Sequence, residues 1–253
     1  MHAENYSPVH ESMTGACNDV LFLLADQSPE TTVSVFDIHA GQRPVFIDCS
    51  AGEVSMADSN DYVADSIRMW VSSGFYTAEE MHAMVDDIVD GDCDVPALKA
   101  LILPELQRKL DAERNWPQVT ACDRLDEVFY HLHEDGICAL QNAGYETSDG
   151  FTEVAEVLDD APDDHYHGFC FYHGQDVECV IKSDVLYIAF GAINDDPAQA
   201  LKVGQRLATV LKTAGFEVVW NETVERCVEV HNFNWQRRSP VADSGLDALS
   251  TLH

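Results

Sequence analysis

The segment Tyr172-His173-Gly174-Gln175-Asp176 holds the residue types that proton transfer needs. An imidazole titrates near neutrality, and a nearby carboxylate can fix its tautomer, so His173 and Asp176 form a candidate general-base pair. Gln141 and Asn142 stand at the end of an earlier apolar segment. With Tyr172 and Gln175 they could converge on one small-ligand pocket if the two segments are adjacent strands. The same five residues also have a plainer reading. A strand ends and a helix begins there, and Gln175 or Asp176 can cap the helix. Capping is the stronger of the two. No G-x-S-x-G elbow, P-loop or G-x-G-x-x-G accompanies the segment.

Two patterns raise metal binding, and in each the plainer reading is the stronger. In His165-x-His167-x-x-Cys170-x-x-His173 the residues are good zinc ligands, but the two leading histidines flank a loop beside Asp163 and Asp164. His131 and His133 are two apart on a helix, about 200° around it, and cannot chelate together. Asp90-Gly91-Asp92-Cys93-Asp94 opens like a calcium loop, which also needs Gly at its sixth position and Glu at its twelfth. Those positions hold Val95 and Leu101. No metal site and no cofactor is expected.

Charge is the strongest global signal. Across 253 residues, 45 Asp and Glu face 14 Lys and Arg, a formal charge of -31. A protein that reads duplex nucleic acid by neutralising phosphates needs a basic face, so direct nucleic-acid binding is excluded. Such a field steers cationic partners instead. The carboxylates expected to meet a basic protein partner are Asp86, Asp87, Asp90, Asp92 and Asp94, with Asp159, Asp160, Asp163 and Asp164. A solvated acidic surface adapted to salt is the alternative. Phe233-Asn234-Trp235-Gln236-Arg237-Arg238 reads as the one concentration of positive charge, more suited to pairing with internal carboxylates than to clamping an anion.

The elements that must position these groups follow from periodicity. Val20–Ala25 is an apolar segment. Thr32–Ile38 and Val45–Ile47 read as a β-hairpin or neighbouring strands, and residues 50–60 as a loop. Val63, Ile67, Trp70 and Val71 make one face of a helix that stops at Gly74. Thr77 and Glu80 form a capping box. Pro96 suits a first helical turn, and Pro104 splits or kinks the segment running to about Arg114. From Thr120 onward strand and helix alternate. Leu125, Val128, Phe129 and Leu132 stripe a helix ending at Gly136, and Ile137–Asn142 is a strand. Phe151–Leu158 is helical, Gly168–His173 is a strand, and Val177–Ile181 is helical again. Val185–Phe190 is a strand buried on both faces. A helix spans Pro197–Ala214, and Phe216–Trp220 pairs with Val224–Val230 around Asn221-Glu222.

The expectation is an α+β protein, with a C-terminal mixed β-sheet carrying helices and a largely helical N-terminal region before it. Residues 1–115 form the first region, 116–240 the second, and 241–253 a frayed tail. The start lacks the basic residues and apolar run of a secretory signal, and no stretch reaches the roughly 18 apolar residues that span a bilayer. A cytoplasmic protein without membrane association is expected. Its eight cysteines are read as reduced, mostly buried thiols, since the chain is long and they are not clustered.

One resemblance covers residues 122–238. Cys122-Asp123-Arg124-Leu125-Asp126, Gln141-Asn142-Ala143-Gly144, Phe171–Asp176, Leu186-Tyr187-Ile188-Ala189-Phe190-Gly191 and Trp235-Gln236-Arg237-Arg238 carry it. They resemble an uncharacterised bacterial family known only as a domain of unknown function. The resemblance implies a bacterial cytoplasmic origin and no particular activity. Some relatives carry paired cysteines after the Gln-Asn segment. This chain has Tyr145-Glu146-Thr147-Ser148-Asp149 there, so a metal role for those cysteines does not transfer.

Two functions compete. The leading one is a non-catalytic acidic protein that masks a basic partner, as an immunity-type inhibitor or a nucleic-acid mimic would. The other is an enzyme or small-ligand domain centred on Gln141, Asn142, His173, Gln175 and Asp176.

Overall fold

The computed structural model describes residues 56–89, 93–162, 165–194 and 196–240. The apolar segments expected before residue 50, the Asp90-Gly91-Asp92 stretch and the tail after 240 lie outside these residues.

The chain enters a helical layer. Helix α1 (Met56–Ser73) buries Val63, Ile67 and Val71. Residues 56–60, read as loop, are its first residues, and Asn60 Oδ1 accepts the Asp94 N–H from a neighbouring loop. Gly74 ends the helix at φ +78, and a Cβ there would lie 2.5 Å from the Arg237 carbonyl oxygen. Helix α2 (Ala78–Ile88) starts at the expected capping box, with the Thr77 and Glu80 side chains each accepting the other's backbone N–H. Helix α3 (Val95–Lys99) is capped by Asp94. Helix α4 (Ile102–Glu113) carries Pro104 in its first turn, where no intrahelical donor is lost, so the proline marks a break between two helices and not a kink. Met81, Val85, Leu98 and Ile102 complete one apolar core with α1.

The second half is a five-stranded mixed sheet in the order β1-β2-β3-β5-β4. Helix α5 (Ala121–Glu134) buries the expected stripe and leads through Gly136 into β1 (Ile137–Gln141). Helix α6 (Thr147–Asp160) crosses to β2 (Gly168–Tyr172), parallel to β1. Helix α7 (Gly174–Ser183) then reverses the chain into β3 (Leu186–Ala192), antiparallel to β2. Helix α8 (Pro197–Thr213) precedes β4 (Glu217–Val219) and β5 (Val228–His231), an antiparallel pair joined to β3 through β5. The architecture is α+β, as the alternation predicts.

Pleating divides the core in two. Cys170, Tyr172, Leu186, Ile188 and Phe190 point to the side covered by α5, α7 and α8. Phe169, Phe171, Tyr187 and Ala189 point to the side covered by α6. This is the double burial expected of the 185–190 segment, carried two residues further to Ala192. Other strand ends are shorter than expected, for local reasons. Asn142 leaves β1 at φ +52. His173 leaves β2 to cap a helix. Residues 223–227 sit in a turn whose carbonyls at Thr223 and Arg226 accept the Trp220 indole N–H, so β5 begins only at Val228.

Candidate functional site: two strand ends, a strap and a cleft

Gln141 and Tyr172 are register partners at the ends of β1 and β2. The Tyr172 hydroxyl donates to Gln141 Oε1 at 2.7 Å, and Arg237 Nη2 donates to the same oxygen at 2.7 Å. Arg237 also pairs with Asp126 on α5 and lies 4.5 Å above the Phe75 ring centre. Tyr172 is fully buried, and burial pushes its phenol well above the ordinary range. Burial likewise pushes the neighbouring Cys122 thiol up to about 11. Asn142 turns away from this network, and its Nδ2 donates to the Tyr76 hydroxyl at 3.2 Å.

The arginine arrives on a strap formed by residues 233–239. Trp235 Nε1 donates to the Ser73 carbonyl, Arg238 reaches Asp123 and the Pro117 carbonyl, and Ser239 bonds to Glu113. Pairing with internal groups, the preferred reading of Arg237-Arg238, is what the strap does. It ties α1 and α4 to α5 and the sheet.

His173 and Asp176 sit side by side as a capping box at the start of α7. The Asp176 N–H donates to His173 Nδ1 at 3.3 Å, and the His173 N–H donates to Asp176 Oδ2 at 3.0 Å. Nδ1 therefore acts as an acceptor, which places the proton of a neutral ring on Nε2. Nε2 faces Thr147 Oγ1 at 3.1 Å and donates to it. Burial lowers His173 to about 4, against the raising influence of Asp149 and Glu146. Burial raises Asp176 to about 7, against the backbone bond from His173. Both ring nitrogens are engaged, so the pair performs the capping that competed with catalysis. Gln175 is exposed, and its backbone N–H bonds to the Tyr145 carbonyl.

The remaining candidates are dispersed. Cys170 is in the core on the α5 side of the sheet while His173 caps α7. His165 and His167 lie beside Gly136. Among the described residues no group of three or more His, Cys, Asp or Glu could hold a metal ion. Cys93, Cys122, Cys138, Cys170 and Cys179 are free thiols, but Cys227 is disulfide-bonded, so the expectation of reduced cysteines does not extend to it. Of the carboxylates assigned to a partner, Asp86 pairs with Lys99 and Asp94 caps α3. Asp87, Asp159 and Asp160 are exposed. Asp90, Asp92, Asp163 and Asp164 fall outside the described residues. No helix among the described residues is long and apolar enough to cross a membrane.

The sequence reading missed a cleft of about 500 Å³ between α1, α4, α7 and the strap. Arg68, Arg108 and Lys109 line it with Glu105, Trp116 and Trp235. Arg108-Lys109 is the second adjacent cation pair of the chain, a signal that was present in the sequence. What brings Arg68 and Trp235 to the pair is tertiary packing.

Neither the curated proteins nor the solved structures contain a match to this chain. A family model, Domain of unknown function (DUF6891), matches residues 56–239, so it takes in the helical layer as well as the sheet. A match from α1 through the strap covers most of the chain, and the protein belongs to this family.

Proposed function

We propose that this protein is a non-catalytic acidic binding protein whose α6 face masks a basic protein partner, in the manner of an immunity-type inhibitor or a nucleic-acid mimic. The observation that carries the reading is the stripe Glu153, Glu156 and Asp160. These residues are exposed and spaced by three and four along α6. Like charges at that spacing repel by a few tenths of a kcal/mol per pair. Helix α6 has no Lys or Arg to offset them, and none occurs anywhere between Arg124 and Lys182. A surface that local energetics disfavours is consistent with an external counter-charge. Phe151 and Val157 anchor the helix to the aromatic side of the sheet, so the stripe is presented on a rigid element. Asp159 flanks it. Gln141, Tyr172 and His173 are engaged within the fold, which favours binding over chemistry at the strand ends.

The test compares the native chain with a Glu153→Gln, Glu156→Gln, Asp160→Asn triple variant as bait in cell extract at low and moderate salt. The reading expects a basic protein retained by the native chain, released by salt and not retained by the variant. Retention of no basic protein, or equal retention by both baits, overturns it.

A further inference from the structure

Lys109 is a lysine that the fold buries without completing its hydrogen bonds. Its side chain is 8% exposed, and its ammonium donates to the Val71 carbonyl at 2.8 Å. The nearest carboxylate oxygen, on Glu113, is 4.0 Å away, beyond hydrogen-bond reach. An ammonium has three donors, and leaving them unmatched in a buried setting is costly. Arg68 and Arg108 stand beside it, and between them is one carboxylate. Glu105 pairs with Arg108 at 2.7 Å and accepts from Arg68 Nε at 3.4 Å. The other partner of Arg68, Asp65, is 77% exposed and lies outside the cleft lining. Three cations thus line the cleft against two carboxylates, Asp184 and the largely buried Glu105, in a chain whose charge is -31.

Two indoles in the wall suit a flat apolar body, beside the polar Ser72, Asp184 and Asn234. Trp116 and Trp235 both line the cleft. Trp235 is held by its bond to the Ser73 carbonyl and by the Phe75 and Tyr172 rings, so its surface is fixed before any ligand arrives. A volume of about 500 Å³ falls within the range of small-molecule sites.

We infer that this cleft binds a small planar acid, an aromatic or heteroaromatic ring bearing a carboxylate or phosphate, with Lys109 and Arg108 on the acid group and Trp116 and Trp235 on the ring. The acid supplies the acceptors that Lys109 lacks. Burial lowers the Lys109 ammonium to about 8, with Glu113 and Cys122 opposing, so it remains charged at neutral pH. The site is separate from the α6 stripe and stands or falls independently of it.

Phenyl phosphate is the probe, titrated calorimetrically into the full chain, with inorganic phosphate and phenol in parallel. One saturable site is expected for phenyl phosphate. Arg108→Gln should weaken it about tenfold, the loss of one charge-assisted contact. Arg108 is 69% exposed, so this variant retains the fold. Trp116→Ala should weaken phenyl phosphate while leaving phosphate unchanged. Lys182→Gln, on α7 outside the cleft lining, should bind as the native chain does. The inference is overturned by the lack of saturable binding below about 10 mM, by equal affinity of the native chain and Arg108→Gln, or by inorganic phosphate binding as tightly as phenyl phosphate.

Discussion

Gln141 and Arg237 are 96 residues apart in sequence and share one 2.7 Å hydrogen bond. The bond closes a network in which Tyr172, Gln141, Asp126 and Arg237 join the end of β1, the end of β2 and α5 to the strap. Arg237 Nε is buried with no hydrogen-bond partner among the described residues. The Phe75 face, 4.5 Å from the guanidinium carbon, compensates in part through its quadrupole. Arg237→Met should lower unfolding free energy by about 2 kcal/mol, from the lost charge-assisted bonds and cation–π contact. Asp126 is 42% exposed and regains water, which limits the loss. Arg237→Lys should fall nearly as far, because one ammonium cannot reproduce the fork. Urea midpoints check this; a lysine variant with the native midpoint would show that the fork is dispensable.

Gly150 lies inside α6, where alanine ordinarily adds about 1 kcal/mol of helix stability. A Cβ there would stand 2.3 Å from the ring of Phe171, which is completely buried and cannot move aside. Overpacking of this kind costs about 1–3 kcal/mol, so the clash wins. Gly150→Ala should lower the melting temperature, whereas Ala155→Gly, at an exposed α6 position, should cost only its propensity, about 1 kcal/mol.

Local spacing explains which parts were legible in the sequence. Thr77-x-x-Glu80 predicts its capping box because both partners lie within one turn. His173-x-x-Asp176 is the same box with histidine as the cap, so the position was visible but the role needed coordinates to decide. The alternation at Gly168–Tyr172 marks a strand because pleating imposes a period of two. Chain-distant contacts leave no such trace. Nothing near Gln141 announces Arg237, and nothing near Lys109 announces Trp235. The late start of β5 depends on where one indole N–H finds its acceptors, which no periodicity encodes.

The His173–Asp176 box makes a prediction about proton location. In the unfolded chain between about pH 4 and 6.5 the histidine holds the proton and the aspartate does not. In the folded protein His173 is lowered to about 4 and Asp176 raised to about 7, so the proton sits on the aspartate. The two slopes oppose each other. The depressed histidine gives stability that is full above pH 6.5 and lost as pH falls through 4. The raised aspartate gives stability that is full below pH 3.8 and lost as pH rises through 7. Across pH 4–6.5 they nearly cancel in the native protein. Asp176→Asn should expose the histidine slope, with stability increasing from pH 4 to 6.5 by an amount on the order of 1–3 kcal/mol. His173→Asn should expose the opposite slope, with stability decreasing from pH 4 to 7. Urea titrations across this range read both signs, and identical profiles for the two variants would contradict the assignment.

The acidic stripe of α6 predicts a stability change independent of any partner. Glu153 faces Glu156 at i+3, and Glu156 faces Asp160 at i+4. Each like-charge pair costs about 0.2–0.5 kcal/mol. Neutralising all three in Glu153→Gln, Glu156→Gln, Asp160→Asn should therefore stabilise the free protein by up to about 1 kcal/mol in low salt. Screening shortens the reach of exposed charges to about 8 Å at physiological ionic strength. The gain should consequently shrink as salt is added, because the native stripe is then already relieved. Paired thermal melts at about 10 and 500 mM salt measure both effects. If the triple variant is less stable than the native chain at low salt, these carboxylates make favourable contacts within the fold, and the α6 face is not held open for a cationic partner.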